Sequence, residues 1–269
     1  MASAVHAVSA ERHAGMFWRP LVHYRHAQNR LLVGIAPSEL GQAVHAFPLA
    51  FVQQDDVVGL VAVLGIGGET NMFVASDGTW LGRYVPAMLR AHPFAIAENE
   101  GKQILCIDEA QGLAGEDEEG KRPFFDEAGA LAKPTADVVQ FLQNVNAQLQ
   151  RSSQLAAVLL KHDLLEPWPI EIKGAAGQAA RSVAGLMRVK EAALATLSDA
   201  AFLEMRGGAL LLAHAQLLSM SNLQLLPRIA QARQLREQQI QQRRQEEAAL
   251  FQPSGGNQDV IDWDRMFND

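Results

Sequence analysis

Trp80, Arg83, Tyr84, Arg90 and His92 stand close together in the stretch from Asn71 to Phe94, and all five are residue types suited to binding. Indole and phenol rings supply flat apolar area with one polar tip each, while guanidinium groups dock carboxylates or stack on rings. Placed at a strand-to-helix junction, such groups can clamp a planar or acidic ligand, or a partner's surface. The same residues also have a structural use. Trp80 and Tyr84 can close a sheet edge, Arg90 can pair with a carboxylate, and Asn71 can hold a turn through its amide.

Other chemistries find less support. The eight histidines, His6, His13, His23, His26, His45, His92, His162 and His214, form no HxxxH, HExxH or HxD pattern. His23 and His26 are three apart with no carboxylate nearby, so the expectation is no metal site and no cofactor. Gly65-Ile-Gly-Gly-Glu has neither the Lys-Ser/Thr nor the following helix start of a phosphate loop, and reads as a hairpin turn. No serine sits in Gly-x-Ser-x-Gly, so a hydrolase elbow is missing from the sequence. An enzymatic reading is left with His23, His26, His45 and His92.

The C-terminus has its own composition. Pro253-Ser-Gly-Gly-Asn-Gln reads as a flexible linker, and residues 259–269 mix carboxylates with large apolar groups. Val260, Trp263 and Phe267 share one face at helical spacing, with Asp259, Asp262, Asp264 and Asp269 around them. Such a tethered peptide suits docking as a helix in a partner's groove, or folding back on its own domain.

The elements that must position these residues divide into two kinds. Leu31 to Ile35, Leu49 to Val52, Val57 to Leu64 and Asn71 to Val74 are short β-branched and apolar runs, punctuated by turns at Asp55-Asp56, Gly65 to Gly68 and Ser76-Asp77-Gly78. They predict an antiparallel sheet. Phe94 to Ala97 and Gln103 to Ile107 predict a second hairpin around Glu98 to Lys102, with Cys106 as a buried strand residue. Between the two sets, Pro86 to Arg90 predicts one helical segment, with Pro86 in its first turn and His92-Pro93 ending it.

Gly112 to Lys121 is acidic and predicts a solvated loop dividing the chain. From Thr135 the period changes: Val138, Phe141, Leu142, Val145 and Leu149 make an amphipathic stripe, with Thr135 or Asp137 as cap and an end near His162. Glu166-Pro-Trp-Pro-Ile-Glu-Ile-Lys restarts extended chain, Gly174 to Gly177 turns it, and Arg181 to Val189 predicts a pairing strand. Helices follow at Lys190 to Leu197, Asp199 to Arg206 and Ala209 to Leu225. A polar helix then spans about Arg228 to Leu250, where Leu235, Ile240 and Leu250 are too scattered for heptads.

The fold class expected is therefore α+β, an antiparallel sheet-rich N-terminal section followed by a mainly helical C-terminal section. Its expected parts are an arm over 1–20, a domain over 21–235 (sheet-rich 21–111, helix-rich 135–235), a polar helical extension over 236–252, and a linker and tail over 253–269. With 269 residues and 48% hydrophobic content the chain can bury a full core. A net charge of −7 repels a phosphate backbone, so no nucleic-acid partner is expected. No apolar run approaches the roughly 18 residues of a membrane span, and His6, Arg12 and His13 interrupt the stretch a secretory peptide would need. A cytoplasmic protein is expected.

Several blocks in order resemble the SapC-like family of bacterial proteins. They are Ala46-Phe-Pro-Leu-Ala-Phe, Val61-Ala-Val-Leu-Gly-Ile with Asn71-Met-Phe, Trp80 to Phe94, Pro123-Phe-Phe-Asp-Glu-Ala-Gly, and Leu164-Leu-Glu-Pro-Trp-Pro-Ile. The resemblance covers about residues 20 to 235, and Ala91-His92 stands where relatives carry a second basic residue. It implies an association with surface-layer loci and an accessory role beside cupin-type oxygenase and outer-membrane receptor systems. It carries no catalytic residues. The functional expectation is a bacterial accessory protein that recognises another protein or a ligand through Trp80, Arg83, Tyr84, Arg90 and His92. The alternatives are a surface-layer component and an unrecognised enzyme.

Overall fold

A computed structural model describes residues 5–66, 70–110, 113–115, 122–172 and 181–250. The N-terminal section begins with β1 (Val5–Ala7), α1 (Ala10–His13), β2 (Phe17–Trp18), β3 (Leu32–Gly34), α2 (Leu40–Ala46), β4 (Leu49–Gln54) and β5 (Val57–Val63). It continues through α3 (Ala87–Arg90), β6 (Phe94–Asn99), β7 (Lys102–Asp108), β8 (Ala114–Gly115) and β9 (Arg122–Pro123). The long helix α4 (Lys133–Lys161) opens the second section. Then come β10 (Leu165–Pro167), β11 (Ile170–Ile172), β12 (Arg181–Val183) and β13 (Leu186–Val189), followed by α5 (Glu191–Ala195), α6 (Asp199–Met205), α7 (Gly208–Ser219) and α8 (Leu225–Leu250). All strand pairings among the described residues are antiparallel, so the α+β expectation holds.

The main sheet runs β10-β13-β4-β5-β3. Its centre is the hairpin β4–β5, closed by Asp55 and Asp56, with Asp55 at φ +52. Alternation along β4 sorts the two faces. Leu49 and Phe51 point into the larger core with Leu159 of α4 and Leu212 of α7, whereas Ala50 and Val52 face Trp168, Ile170 and Leu186. A second sheet, β1-β7-β6, is built on the hairpin whose two-residue turn, Glu100 and Gly101, has positive φ at both positions as a twisted hairpin requires. It covers a smaller core of Trp18, Phe94, Ile107, Phe124 and Leu142. Helix α4 reaches both: Phe141 and Leu142 pack into the smaller core, Ala156 and Leu159 into the larger. At 1.5 Å per residue a helix of this length is about 43 Å long, enough to bridge them.

Several expectations change in this frame. The first residues pack onto the rest of the chain, since Val5–Ala7 pairs with β7 and Trp18 is buried. Glu109 fastens them: its carboxylate takes two hydrogen bonds from Arg12, both at 2.7 Å, and lies 3.1 Å from His13 Nε2. Neither Thr135 nor Asp137 caps α4. Ala132 holds the cap position, Thr135 Oγ1 instead accepts from Trp18 Nε1 and donates to the Pro123 carbonyl, and Asp137 pairs with Lys133. Pro86 precedes α3 in extended conformation rather than opening its first turn.

Cys106 is only half-buried. Arg181 to Val189 is two strands, broken at Gly185. Helix α7 stops at Ser219 in a tighter turn over Met220–Gln224. Of the Gly112 to Lys121 loop, Ala114–Gly115 pairs with Phe17 and Trp18, and most of the rest lies outside the described residues. So do Gly67 and Gly68, the Gly174 to Gly177 turn, and the tail with Val260, Trp263 and Phe267.

One described helical run, Gly208–Ala248, contains an 18-residue window of mean hydropathy 1.2, which by length and composition could cross a membrane. Its inward residues Leu212, Ala213, Gln216 and Ser219 are buried in the larger core. Gln216 and Ser219 also bond the backbone of Leu49 and Val189, so the apolar character of α7 has a use within the fold.

Candidate functional site

The expected strand at Asn71 to Val74 is a turn, and Asn71 is the reason. Its buried side chain accepts from the Phe73 N–H at 2.9 Å and donates to the Ala27 carbonyl at 3.2 Å. A side chain that captures the backbone two residues on competes with the strand ladder, and among the described residues this segment keeps a single bridge, Val74 to Trp80. The segment then folds over its own aromatic residues. Trp80 stacks on Phe73 with ring centres 5.5 Å apart and meets Tyr24 edge-on at 5.6 Å. Its indole N–H donates to the Tyr84 carbonyl at 2.8 Å, tying the segment across one turn. Gly82 is obligatory for this closure, since a Cβ there would lie 2.8 Å from Trp80 Nε1 and 2.9 Å from Phe73.

A buried carboxylate that sequence reasoning missed holds the far end. Glu39 is 6% exposed. Its Oε1 accepts from the Tyr84 hydroxyl at 2.8 Å and from the Ala87 N–H at 2.7 Å, and its Oε2 accepts from the Ala36 N–H at 3.1 Å. One of those donors is a first-turn N–H of α3 with no partner inside its helix. Burial and the Glu39 bond together push the Tyr84 phenol up to about 12. The local signal was Ala36-Pro-Ser-Glu, a turn with a glutamate placed to bond back to its start.

Helix α8 fastens the near end. Arg236 donates to Asp77 Oδ2 through two nitrogens, at 2.8 and 3.1 Å, and Arg233 reaches Thr70 Oγ1 and the Asn71 carbonyl. Partial burial would raise the Asp77 carboxyl, but the Thr79 N–H and Arg236 outweigh it and hold it low. Ala232, Arg233, Arg236, Glu237 and Ile240 form a half-buried stripe, and residues 241–248 are exposed.

The five sequence candidates separate in this geometry. Trp80 and Tyr84 are half-buried with their polar atoms engaged inside the protein. Arg83 is exposed, with no side-chain partner among the described residues. Arg90 is exposed, bonds the Val85 carbonyl, and lies over the rings of Tyr84 and Phe141 at 5.8 and 5.6 Å. His92, which precedes a cis bond to Pro93, stacks face to face on His26 with ring centres 3.9 Å apart and planes 3° from parallel. Burial lowers the pKa of both rings. The His26 value falls to about 4, with His92, Arg30 and His23 adding repulsion. For His92, Asp108 opposes the effect and Arg30 and His23 add to it. His45 is exposed on α2, and among the described residues no three His, Cys, Asp or Glu side chains are grouped to hold a metal ion.

The molecule is thus an α+β protein of small antiparallel sheets in which a tryptophan-tyrosine segment, pinned by a buried glutamate, presents arginines outward. The chain belongs to the SapC family: the family model described as SapC matches residues 8–226. No curated protein and no solved structure matches it.

Proposed function

We propose that this SapC-family protein is an accessory binding module of the bacterial cytoplasm, recognising another protein through the outer side of the 80–92 segment and making or breaking no covalent bond itself. The observation that carries the reading is the division of labour in that segment. Trp80, Tyr84 and Glu39 spend their polar atoms on one another and on the backbone, which fixes the chain, while Arg83 and Arg90 project from it. A backbone fixed this way loses little further freedom on binding. Arg90, whose guanidinium lies beside the Tyr84 and Phe141 rings, suits a carboxylate-bearing partner, because an Arg fork pairs carboxylates in two bonds while its flat face stays on a ring. The acidic-aromatic tail, through Val260, Trp263 and Phe267, supplies a second contact in the same reading, drawn from its sequence pattern.

Quantitative affinity capture from the native cell tests the proposal, comparing the full chain, the Arg83→Glu/Arg90→Glu double variant, and a chain lacking 259–269. A partner held by the full chain and lost by the double variant is the expected result. Identical partners in identical amounts from all three would discard it. Trp80→Ala is a poor probe, because Trp80 packs against the larger core and its loss loosens the segment itself.

A further inference from the structure

A cleft of about 330 Å³ lies against Met88, Leu89, His92 and Pro93. Its apolar walls come from β3, α3, β6 and α4, chiefly Leu32, Met88, Leu89, Phe94, Leu142 and Leu149. Its polar lining is sparse: His26, His92, Arg30, Asp108 and Asn146. Mostly apolar walls with a few convergent polar groups are the ordinary make-up of a small-ligand site, and this volume lies at the small end of that range.

The ring nitrogens specify the head group. His26 Nε2 lies 3.2 Å from the Leu89 carbonyl, which can only accept, so Nε2 carries the proton and Nδ1 of the neutral ring is a bare acceptor. That Nδ1 is buried without a protein partner, as are His92 Nε2 and the Nδ1 of His23, a residue near both rings that does not itself line the cleft. Buried polar atoms are nearly always hydrogen-bonded, so three orphaned nitrogens in one cluster are a specific departure. Burial lowers the pKa of both stacked rings, and Arg30 and His23 add repulsion to each, although Asp108 opposes the shift at His92. Positive charge in the cleft therefore comes from Arg30, which is exposed at the rim and has no side-chain partner among the described residues. Asp108, whose charge bears on His92, accepts from the Ala110 N–H and contributes a carboxylate to the lining.

We infer that this cleft binds a small apolar acid whose carboxylate sits next to an N–H or O–H donor, the chemistry of a hydrophobic α-amino or α-hydroxy acid. Arg30 pairs with the carboxylate, a small turn of the His26 ring brings its buried Nδ1 to the cleft surface to accept from the adjacent donor, and the apolar body lies against Leu89, Phe94 and Leu149. The inference goes beyond the partner-binding reading and does not depend on it, since neither Arg83 nor Arg90 lines the cleft.

Histidine ring ¹⁵N spectra of the full chain at neutral pH test it with four probes. L-phenylalanine and L-3-phenyllactate carry both carboxylate and donor, 3-phenylpropionate lacks the donor, and phenethylamine lacks the carboxylate. The expected result is that the first two move the ring nitrogens of His26 and His92 at least about tenfold more tightly than the last two. Arg30→Gln should weaken the response about tenfold, and Met88→Trp, which fills the cleft mouth from a partly exposed position, should abolish it. Because both substitutions lie at the surface, amide spectra will report an unchanged fold. No movement with any probe, equal binding of all four, a response to phenethylamine or 3-phenylpropionate alone, or indifference to Arg30→Gln each overturns the inference.

Discussion

Replacing Glu39 by alanine withdraws the one carboxylate that three donors share. The Ala36 and Ala87 N–H groups lose their acceptor in buried surroundings, and the Tyr84 hydroxyl loses its acceptor where some water can reach. A buried donor left unsatisfied costs about 1–3 kcal/mol, so the two amides and the hydroxyl together predict a loss of about 3–5 kcal/mol, reduced somewhat because the carboxylate's own desolvation is relieved. Glu39→Gln separates the contributions. Its amide oxygen can still serve Tyr84 and Ala87, but its NH₂ then confronts the Ala36 N–H, for a loss of about 1–2 kcal/mol. Urea unfolding of the three proteins measures both values, and hydrogen exchange at Ala87 localises the effect to the start of α3. An alanine variant that loses less than about 1 kcal/mol, or a glutamine variant as unstable as the alanine one, would show that this carboxylate does not hold the segment.

Gly82→Ala forces a Cβ to 2.8 Å from the Trp80 indole nitrogen, so thermal unfolding should report a loss of about 1–3 kcal/mol. Arg236→Ala releases Asp77, and because both side chains are partly open to water the stability loss should stay near 0.5–1 kcal/mol. Hydrogen exchange in the 70–80 turn should nevertheless rise clearly, and unchanged exchange would contradict the pin. His26 has a lowered folded-state pKa of about 4, so below its ordinary 6.5 the unfolded chain takes up a proton that the folded chain refuses. Stability therefore falls as pH drops from about 6.5 to about 4, by about 1–2 kcal/mol once partial solvent screening of the ring is allowed for. His26→Phe keeps an aromatic ring in the stack and should flatten that slope in denaturant titrations at stepped pH. An equally steep slope in the variant would assign the titration to another group.

What the sequence disclosed and what it hid follow from the range of each interaction. The β4–β5 hairpin was legible because Val57–Val63 is β-branched and flanked by Asp55-Asp56, both local signals. Helix α4 was legible because Val138, Phe141, Leu142, Val145 and Leu149 repeat with the helical period. Asn71 to Val74 misled because Met72, Phe73 and Val74 are apolar enough for a strand, while a single Asn side chain diverts the backbone. In the site, the residue types around Trp80 were visible, but the division between inward aromatics and outward arginines was not. Glu39 bonds Tyr84 from 45 positions away, and His26 meets His92 from a different element, so neither leaves a spacing pattern to read. The contact that Arg236 of α8 makes left no pattern for the same reason, as its acceptor Asp77 lies 159 positions earlier.

The most direct test of recognition through the outward arginines is the affinity of a captured partner for the full chain against the Arg83→Glu/Arg90→Glu variant, measured by titration calorimetry on two equally stable proteins. Reversing two contact charges at an interface predicts binding weaker by about 10- to 100-fold, with a steeper salt dependence for the unaltered chain. Equal affinity and equal salt dependence for both proteins would contradict the account.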